Sequence, residues 1–167
     1  MSEVAINEAV SANIGIAKKN TDAVSLILNK LLADESVLYT KTRNYHWNVT
    51  GHHFHSLHLF FESQYNELQE FADEMAERAR QLGHYAIGTM ADFLELTHLS
   101  ENDTSDLSAD GMIKSLLSDH EAIIMAIRED LNTVAEQYKD LGTNDFLTGL
   151  MEKHEKMAWM LRAHISR

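Results

Sequence analysis

The chain contains no cysteine and no proline, and only seven glycines among its 167 residues. The absence of cysteine excludes both a disulfide framework and a thiolate metal site. Any metal must therefore bind through imidazole and carboxylate groups, which suits iron, manganese or zinc. No apolar run approaches the roughly 20 residues that a membrane helix needs, and the first residues lack the apolar region of a signal peptide. We therefore expect a soluble, cytoplasmic protein.

Positive charge is also scarce, since 14 Lys and Arg residues stand against 26 Asp and Glu residues, for a formal net charge of -12 at pH 7. This balance argues against non-specific binding to DNA or to anionic lipid, because both of these partners are themselves anionic. It favours surfaces that attract cations. The length is that of one domain with a substantial core.

Apolar residues recur at helical spacing in four long segments. The predicted helices cover residues 21–50, 54–82, 109–141 and 143–165. Thr21 or Asp22 would cap the first helix. Gly142 would break the third helix, and Thr143 would cap the fourth.

A connection of 25 residues, 84–108, separates the second and third helices, and residues 91–99 within it can form a short helix. An up-down-up-down bundle has short loops throughout, whereas a ferritin-like bundle has one long crossover. The sequence therefore predicts an all-α, ferritin-like four-helix bundle over residues 21–167. Residues 1–20 contain few large apolar side chains and are predicted to form a short tail.

Five potential metal ligands lie in one stretch of the chain: His46, His58, Glu62, Asp73 and Glu77. On the second helix, the pairs 58/77 and 62/73 share one midpoint, and neighbours four residues apart share one helical face. The two halves cannot meet within one helix, because at 1.5 Å per residue Glu62 and Asp73 lie roughly 16 Å apart. An antiparallel second copy about a two-fold axis brings the halves together. The sequence therefore suggests metal sites shared between two identical subunits.

On a helical wheel, the four ligands of the second helix lie about 120° from its apolar stripe. They therefore occupy a flank that meets either water or another subunit. A solvated charged face is the alternative interpretation, since Glu and Asp are common on helices. The presence of His58 on this flank, and of His46 near the preceding turn, favours a metal site.

A di-iron site within the bundle requires Glu-x-x-His on two helices and a Glu from each of the other two. The chain contains one such tetrapeptide, Glu95-Leu96-Thr97-His98, and it lies in the crossover. The intra-bundle site is therefore not expected. His120 and His154 lie on apolar stripes, and we expect both to be hydrogen-bonded core residues.

Two motifs closely resemble the signature of the Dps family, the miniferritins named as DNA-binding proteins from starved cells. They are His46-Trp47-Asn48-Val49-x-Gly51-x-x-Phe54-x-x-Leu57-His58-x-x-Phe61-Glu62-x-x-Tyr65 and Asp73-Glu74-Met75-Ala76-Glu77-Arg78. The order and lengths of the helices and the crossover with its short helix also match. The resemblance thus covers nearly the whole chain.

The resemblance implies a dodecameric hollow shell built from two-fold dimers, with ferroxidase centres at the dimer interfaces. It matches His46, His58 and Glu62 to ligands from one subunit, and Asp73 and Glu77 to ligands from the partner subunit. This assignment agrees with the symmetry of the ligand spacing. It makes iron both the bound metal and the substrate.

The implied reaction is the oxidation of Fe(II), preferentially by hydrogen peroxide, with two irons consumed per peroxide so that no hydroxyl radical is released. Ferric mineral is then stored within the shell, which combines iron storage with protection from oxidative damage. Hard carboxylates hold Fe(III), while neutral imidazoles help to hold Fe(II). The resemblance also places Trp47 beside the centre, where it either quenches oxidising radicals or packs in the dimer interface.

Iron reaches the interior of such shells through acidic pores near the start of the fourth helix. Asp145 is the best match to a pore residue and Asp140 a weaker one. Helix capping and complementation of the helix dipole are the alternative roles for both.

Two other functions stay open from the sequence. Some Dps proteins bind DNA through a lysine-rich N-terminal tail, but here Lys18 and Lys19 stand against Glu3 and Glu8, so few phosphates can be neutralised. Weak or no DNA binding is therefore predicted. Structural zinc at the dimer interface is the second alternative, because zinc accepts the same ligands and is redox-silent.

Overall fold

The computed structural model describes residues 12–101 and 106–165. Its helices are α1 (Lys18–Asn48), α2 (Phe54–Gln81), α3 (Met90–Leu96), α4 (Ala109–Asn132) and α5 (Leu141–Ile165), and a π-helical segment, Thr133–Gln137, follows α4 directly. No strand occurs in these two ranges. The four long helices and the short crossover helix confirm the predicted all-α architecture.

Helices α1 and α2 pack antiparallel along most of their length. The Tyr39 ring meets the Tyr65 ring edge-on with centroids 6.1 Å apart, and near the connecting turn His46 contacts His58. Helices α4 and α5 form the second antiparallel pair. Ion pairs join them on the surface, between Arg128 and Glu155 and between Arg162 and Glu121.

The core runs along the axis of the bundle, where all four long helices contribute apolar side chains. Fully or almost fully buried residues include Leu28, Leu38, Phe61, Leu68, Phe71, Met75, Leu116, Ile123, Ile127 and Leu147. Burying a side chain of this size contributes about 1.5–3 kcal/mol. This burial stabilises the scaffold on which the candidate metal ligands lie.

Helix α1 begins at Lys18, three residues before the predicted start at Thr21. Ala17 is the N-cap and makes no capping hydrogen bond, while the Thr21 hydroxyl donates to the Lys18 carbonyl from within the first turn. The predicted cap was therefore wrong. Lys18 pairs with Asp22 at 2.8 Å, which supports the extra turn. Residues 1–11 of the predicted tail lie outside the described residues.

The boundary between α4 and α5 also differs from the prediction. The chain leaves the helical path after the π-helical segment, at Lys139, which has a positive φ of 60°. Asp140 then caps α5, accepting hydrogen bonds from the Thr143 backbone N–H at 2.9 Å and from the Thr143 hydroxyl at 2.6 Å. Gly142 therefore lies inside α5 and does not break a helix.

The crossover is held against α1 by one buried carboxylate. Asp34 accepts hydrogen bonds from the Thr97 hydroxyl at 2.7 Å and from the His98 backbone N–H at 2.6 Å, and the His98 ring nitrogen lies 3.0 Å from its second oxygen. A short helix is present as predicted, although it covers Met90–Leu96 and not residues 91–99, and these contacts follow directly after its end. Across the described residues, no helix combines the length and the apolar character that a membrane span requires.

Candidate metal centre

The last turn of α1 and the first turns of α2 place His46 and His58 face to face. His46 Nδ1 lies 2.7 Å from the His58 carbonyl oxygen, and His58 Nδ1 lies 2.8 Å from the His46 carbonyl oxygen. The rings stack with centroids 3.8 Å apart and an angle of 19° between their planes. His46 is buried and His58 half-buried. The local backbone thus fixes both rings.

This reciprocal bonding determines the tautomer of each ring. A carbonyl oxygen only accepts hydrogen bonds, so each Nδ1 must carry the proton that it donates. In a neutral imidazole the proton is then absent from Nε2, whose lone pair is available to a metal. Both histidines therefore have the protonation pattern of oriented metal ligands.

Glu62 lies one turn after His58 on the same face of α2 and is half-buried. The Tyr65 hydroxyl donates a long hydrogen bond of 3.5 Å to Glu62 Oε1, and the Tyr65 ring meets the His46 ring edge-on with centroids 5.2 Å apart. Desolvation and the adjacent Glu62 carboxylate raise the pKa of Tyr65, so its phenol stays protonated at neutral pH. We call His46, His58 and Glu62 the histidine half-site.

Asp73 and Glu77 lie further along α2, and both side chains are exposed. We call this pair the carboxylate half-site. The 11 residues from Glu62 to Asp73 correspond to about 16 Å of helix. Within residues 12–101 and 106–165, no group of three or more histidine, aspartate or glutamate side chains is close enough to hold a metal within one chain. The structure thus brings the two histidines together and leaves the two half-sites apart.

Trp47 is exposed over 62% of its surface, on the turn of α1 that carries His46. Its ring lies under the Arg43 guanidinium, with 5.0 Å between the guanidinium carbon and the ring centroid. The same guanidinium carbon lies 5.7 Å from the centroid of Tyr39, whose hydroxyl accepts a hydrogen bond from Arg43 at 2.8 Å. Arg43 therefore contacts both the Trp47 ring and the Tyr39 ring.

The two acidic residues predicted to line a pore have different environments. Asp140 is buried, caps α5 and accepts a hydrogen bond from Arg78 at 3.1 Å. It cannot line a pore, so that prediction was wrong and the capping alternative holds. Asp145 is exposed in the first turns of α5. It stays a candidate pore residue.

The core histidines form a hydrogen-bonded chain with a carboxylate that the sequence analysis missed. His154 Nε2 lies 2.7 Å from Glu35 Oε1, and His154 Nδ1 lies 2.9 Å from His120 Nδ1. Burial and the neighbouring His154 lower the pKa of His120 well below its usual range. His120 and His154 are both fully buried and hydrogen-bonded to each other, so they are hydrogen-bonded core residues, as predicted.

Two further buried charges on α1 were also missed. Lys41 makes a buried ion pair of 2.7 Å with Asp119 on α4, and Asp34 holds the crossover. A signal for Glu35 was present, since it continues the apolar stripe of Leu31 and Leu38. A charged residue at a core position indicates a buried partner, although it does not identify that partner.

Comparison with known proteins places this architecture in a family. A family model for the ferritin-like domain matches residues 26–167. The DNA protection during starvation protein 2 of Bacillus anthracis is 37% identical over 141 residues, which cover 84% of this chain and 95% of the relative. The chain belongs to the Dps family of ferritin-like proteins.

Other similar proteins extend over almost the same length. A low temperature-induced protein of a Nostoc species is 46% identical over 153 residues, covering 92% of this chain and 86% of the relative. The crystal structure of a Vibrio cholerae Dps protein, described as a member of a superfamily of ferritin-like diiron-carboxylate proteins, superposes with a TM-score of 0.87 at 29% identity. That match covers 93% of this chain and 97% of the other. At the family level, Dps membership assigns the chain to iron storage and protection from stress.

Proposed function

We propose that this Dps protein is a ferroxidase that oxidises Fe(II), preferentially with hydrogen peroxide, at centres shared between two subunits. It stores the ferric product as mineral inside a dodecameric shell. The observation that carries this proposal is the reciprocal bonding of His46 and His58, which leaves both Nε2 lone pairs free.

The division of the ligands supports centres between subunits. The histidine half-site supplies two imidazoles and one carboxylate, and the carboxylate half-site supplies two more carboxylates. Within one chain the rigid α2 helix keeps the two half-sites too far apart to bind the same metal. A two-fold axis at the middle of α2 would place the histidine half-site of each chain beside the carboxylate half-site of its partner. The combined set of two nitrogen and three carboxylate ligands suits iron in both oxidation states. It also agrees with the diiron-carboxylate description of the Vibrio cholerae relative.

The chemistry follows from the number of electrons. Reduction of hydrogen peroxide to the level of water takes two electrons, and two Fe(II) ions supply one each. When both Fe(II) ions give up their electrons together, peroxide does not undergo the one-electron reduction that releases hydroxyl radical. Oxidation at such a centre therefore removes two reactants of oxidative damage together, and Asp145 is our proposed contact for Fe(II) on its way into the shell.

DNA binding is not part of this proposal, although one relative is named as a DNA-binding protein induced by nutrient stress. Lys18 lies in α1 and already pairs with Asp22 at 2.8 Å, so the adjacent carboxylate offsets the charge that it could offer to a phosphate. The chain carries a net charge of -12. We expect no retardation of duplex DNA by the protein in a gel at physiological salt.

The test is the anaerobic addition of two Fe(II) per centre to the metal-free protein, followed by substoichiometric hydrogen peroxide. We expect rapid oxidation of two irons per peroxide and no signal from a hydroxyl-radical trap. Oxidation no faster than in buffer, together with trapped radical, would contradict the proposal. Zinc bound in place of iron would give that second result, because zinc has no redox chemistry.

A further inference from the structure

Three buried polar side chains cross the apolar core of the bundle. Glu35 of α1, His120 of α4 and His154 of α5 are fully buried. His154 makes both contacts, since its Nε2 lies 2.7 Å from Glu35 Oε1 and its Nδ1 lies 2.9 Å from His120 Nδ1. We call these three residues the polar layer. The layer joins α5 to both α1 and α4 at the centre of the bundle.

The contact between the two imidazoles has room for one proton. A ring nitrogen either carries a proton and donates, or has a lone pair and accepts. Two nitrogen atoms 2.9 Å apart are therefore hydrogen-bonded only when one of them carries the proton. An imidazolium carries a proton on both nitrogens, so two charged rings would direct two N–H groups at each other. The closed layer thus excludes the state in which both rings are charged.

The surroundings of the layer also oppose a second positive charge. Glu35 Oε2 and His120 Nε2 are buried and have no hydrogen-bond partner among the described residues. Burial and the neighbouring His154 lower the pKa of His120 well below its usual range. A second proton therefore requires that the layer separate and that water reach the rings.

Other charged groups near the layer have partners of their own. Between α1 and α4, Lys41 pairs with Asp119 at 2.7 Å. From α2, the uncharged Phe71 ring faces the layer, with 5.6 Å between its centroid and that of one imidazole. The Lys153 ammonium of α5 lies 4.7 Å from the centroid of the same Phe71 ring. Glu35 is thus the carboxylate that is hydrogen-bonded to the histidine pair.

We propose that the polar layer is an acid-sensitive lock that holds α5 against α1 and α4. At neutral pH, the single proton between the imidazoles keeps the lock closed. In acid, the open arrangement binds one proton more than the closed one, so a fall in pH favours local separation of α5. Opening would loosen the wall of the shell and speed the release of stored iron, a consequence that rests on the proposed function.

Hydrogen–deuterium exchange of the metal-free protein, followed by mass spectrometry of its peptides, tests the lock. Each exchange rate is divided by the intrinsic rate at the same pH, from about pH 7 to about pH 5. In the wild-type chain, protection of peptides that contain His120 or His154 should fall about tenfold per pH unit below about pH 6.5. Protection of residues 59–68 of α2 should stay constant.

Two variants separate the lock from other effects of acid. His120→Gln keeps a side-chain amide that can donate to His154 Nδ1 but does not titrate, so its protection should not depend on pH in this way. His164→Gln, the matched control at an exposed position of α5, should keep the wild-type slope. Equal slopes in the wild-type chain and His120→Gln would overturn the proposal. A parallel loss of protection in α2 of the wild-type chain would do so without any variant, because it would indicate unfolding of the whole chain.

Iron release is measured separately, with protein that has been loaded with ferric iron and a chelator in the buffer. At about pH 5, iron should leave the wild-type protein faster than His120→Gln, although acid dissolves the mineral equally in both. If the metal-free protein opens and the two release rates are equal, the lock stands and its role in iron release is wrong. The exchange experiment contains no iron, so its outcome does not depend on the ferroxidase proposal.

Discussion

A complementation experiment tests whether the histidine and carboxylate half-sites belong to different subunits of one centre. One variant, His58→Gln, removes an imidazole ligand and keeps a side chain that can donate to the His46 carbonyl. The other, Asp73→Asn, removes a carboxylate from an exposed position of α2 where an isosteric amide fits. Each variant alone should be inactive, because every centre of a homodimer lacks one ligand.

The expected recovery follows from the geometry. Glu62 and Asp73 lie about 16 Å apart on a rigid helix, whereas ligands of one metal centre lie within a few ångströms of each other. Under the proposed function, each centre therefore takes its histidines from one chain and Asp73 from its partner. When the two variants are refolded together at equal concentration, half of the dimers are mixed, and one of the two centres in each is intact. About one quarter of the wild-type activity should return.

The assay is peroxide-dependent oxidation of Fe(II), with mixed dimers counted by native mass spectrometry. Activity near one quarter of the wild-type value in the mixture, and none in either variant alone, is the expected result. If mixed dimers form in the expected proportion and no activity returns, the inter-subunit assignment is wrong. Activity of Asp73→Asn alone would contradict it more directly.

Two further predictions concern stability. Because burial lowers the pKa of His120, below pH 6.5 the unfolded chain binds a proton at this residue that the folded chain does not. His120 should therefore lower the free energy of unfolding by about 1.4 kcal/mol for each pH unit below 6.5. In urea denaturation at several pH values, the slope of stability against pH should be shallower in His120→Gln than in the wild-type chain by this amount, and equal slopes would contradict the prediction. Asp140→Ala removes the cap of α5 and the partner of Arg78, and should cost about 3 kcal/mol in the same assay. The exposed Asp145→Ala should change stability by less than about 0.5 kcal/mol, so a similar loss in both variants would contradict the capping role.

The sequence predicted the four long helices because a helical period of apolar residues directly reflects which face is buried. It predicted the crossover for a similar reason, since a 25-residue gap in this period cannot be a short loop. The end of α4 was not predictable in the same way. Apolar periodicity continues through Val134 to Tyr138, although the backbone changes to a π-helical segment and then turns at Lys139. The apolar period shows only which residues are buried. Val134 stays buried although the backbone around it is π-helical, so the period could not show where α4 ends.

For the candidate ligands too, the sequence indicated where the side chains lie on the helix but not what surrounds them. Spacing alone indicated a face of α2 that carries His58, Glu62, Asp73 and Glu77, and the structure places the first two half-buried and the last two exposed. Spacing did not reveal the reciprocal bonding of His46 and His58, because that depends on the angle at which the turn returns the chain. Nor did it separate Asp140 from Asp145, since an acidic residue near a helix start fits a cap and a pore equally well.

A centre divided between two chains has a thermodynamic consequence under the proposed function. Iron that binds across the interface binds the dimer and not the isolated chain, so its binding free energy adds to the free energy of association. The isolated chain presents both half-sites but holds them apart, and among its described residues no three ligands come together at one point. Iron oxidation is thereby restricted to assembled protein, where the ferric product is formed at the wall of the shell that stores it.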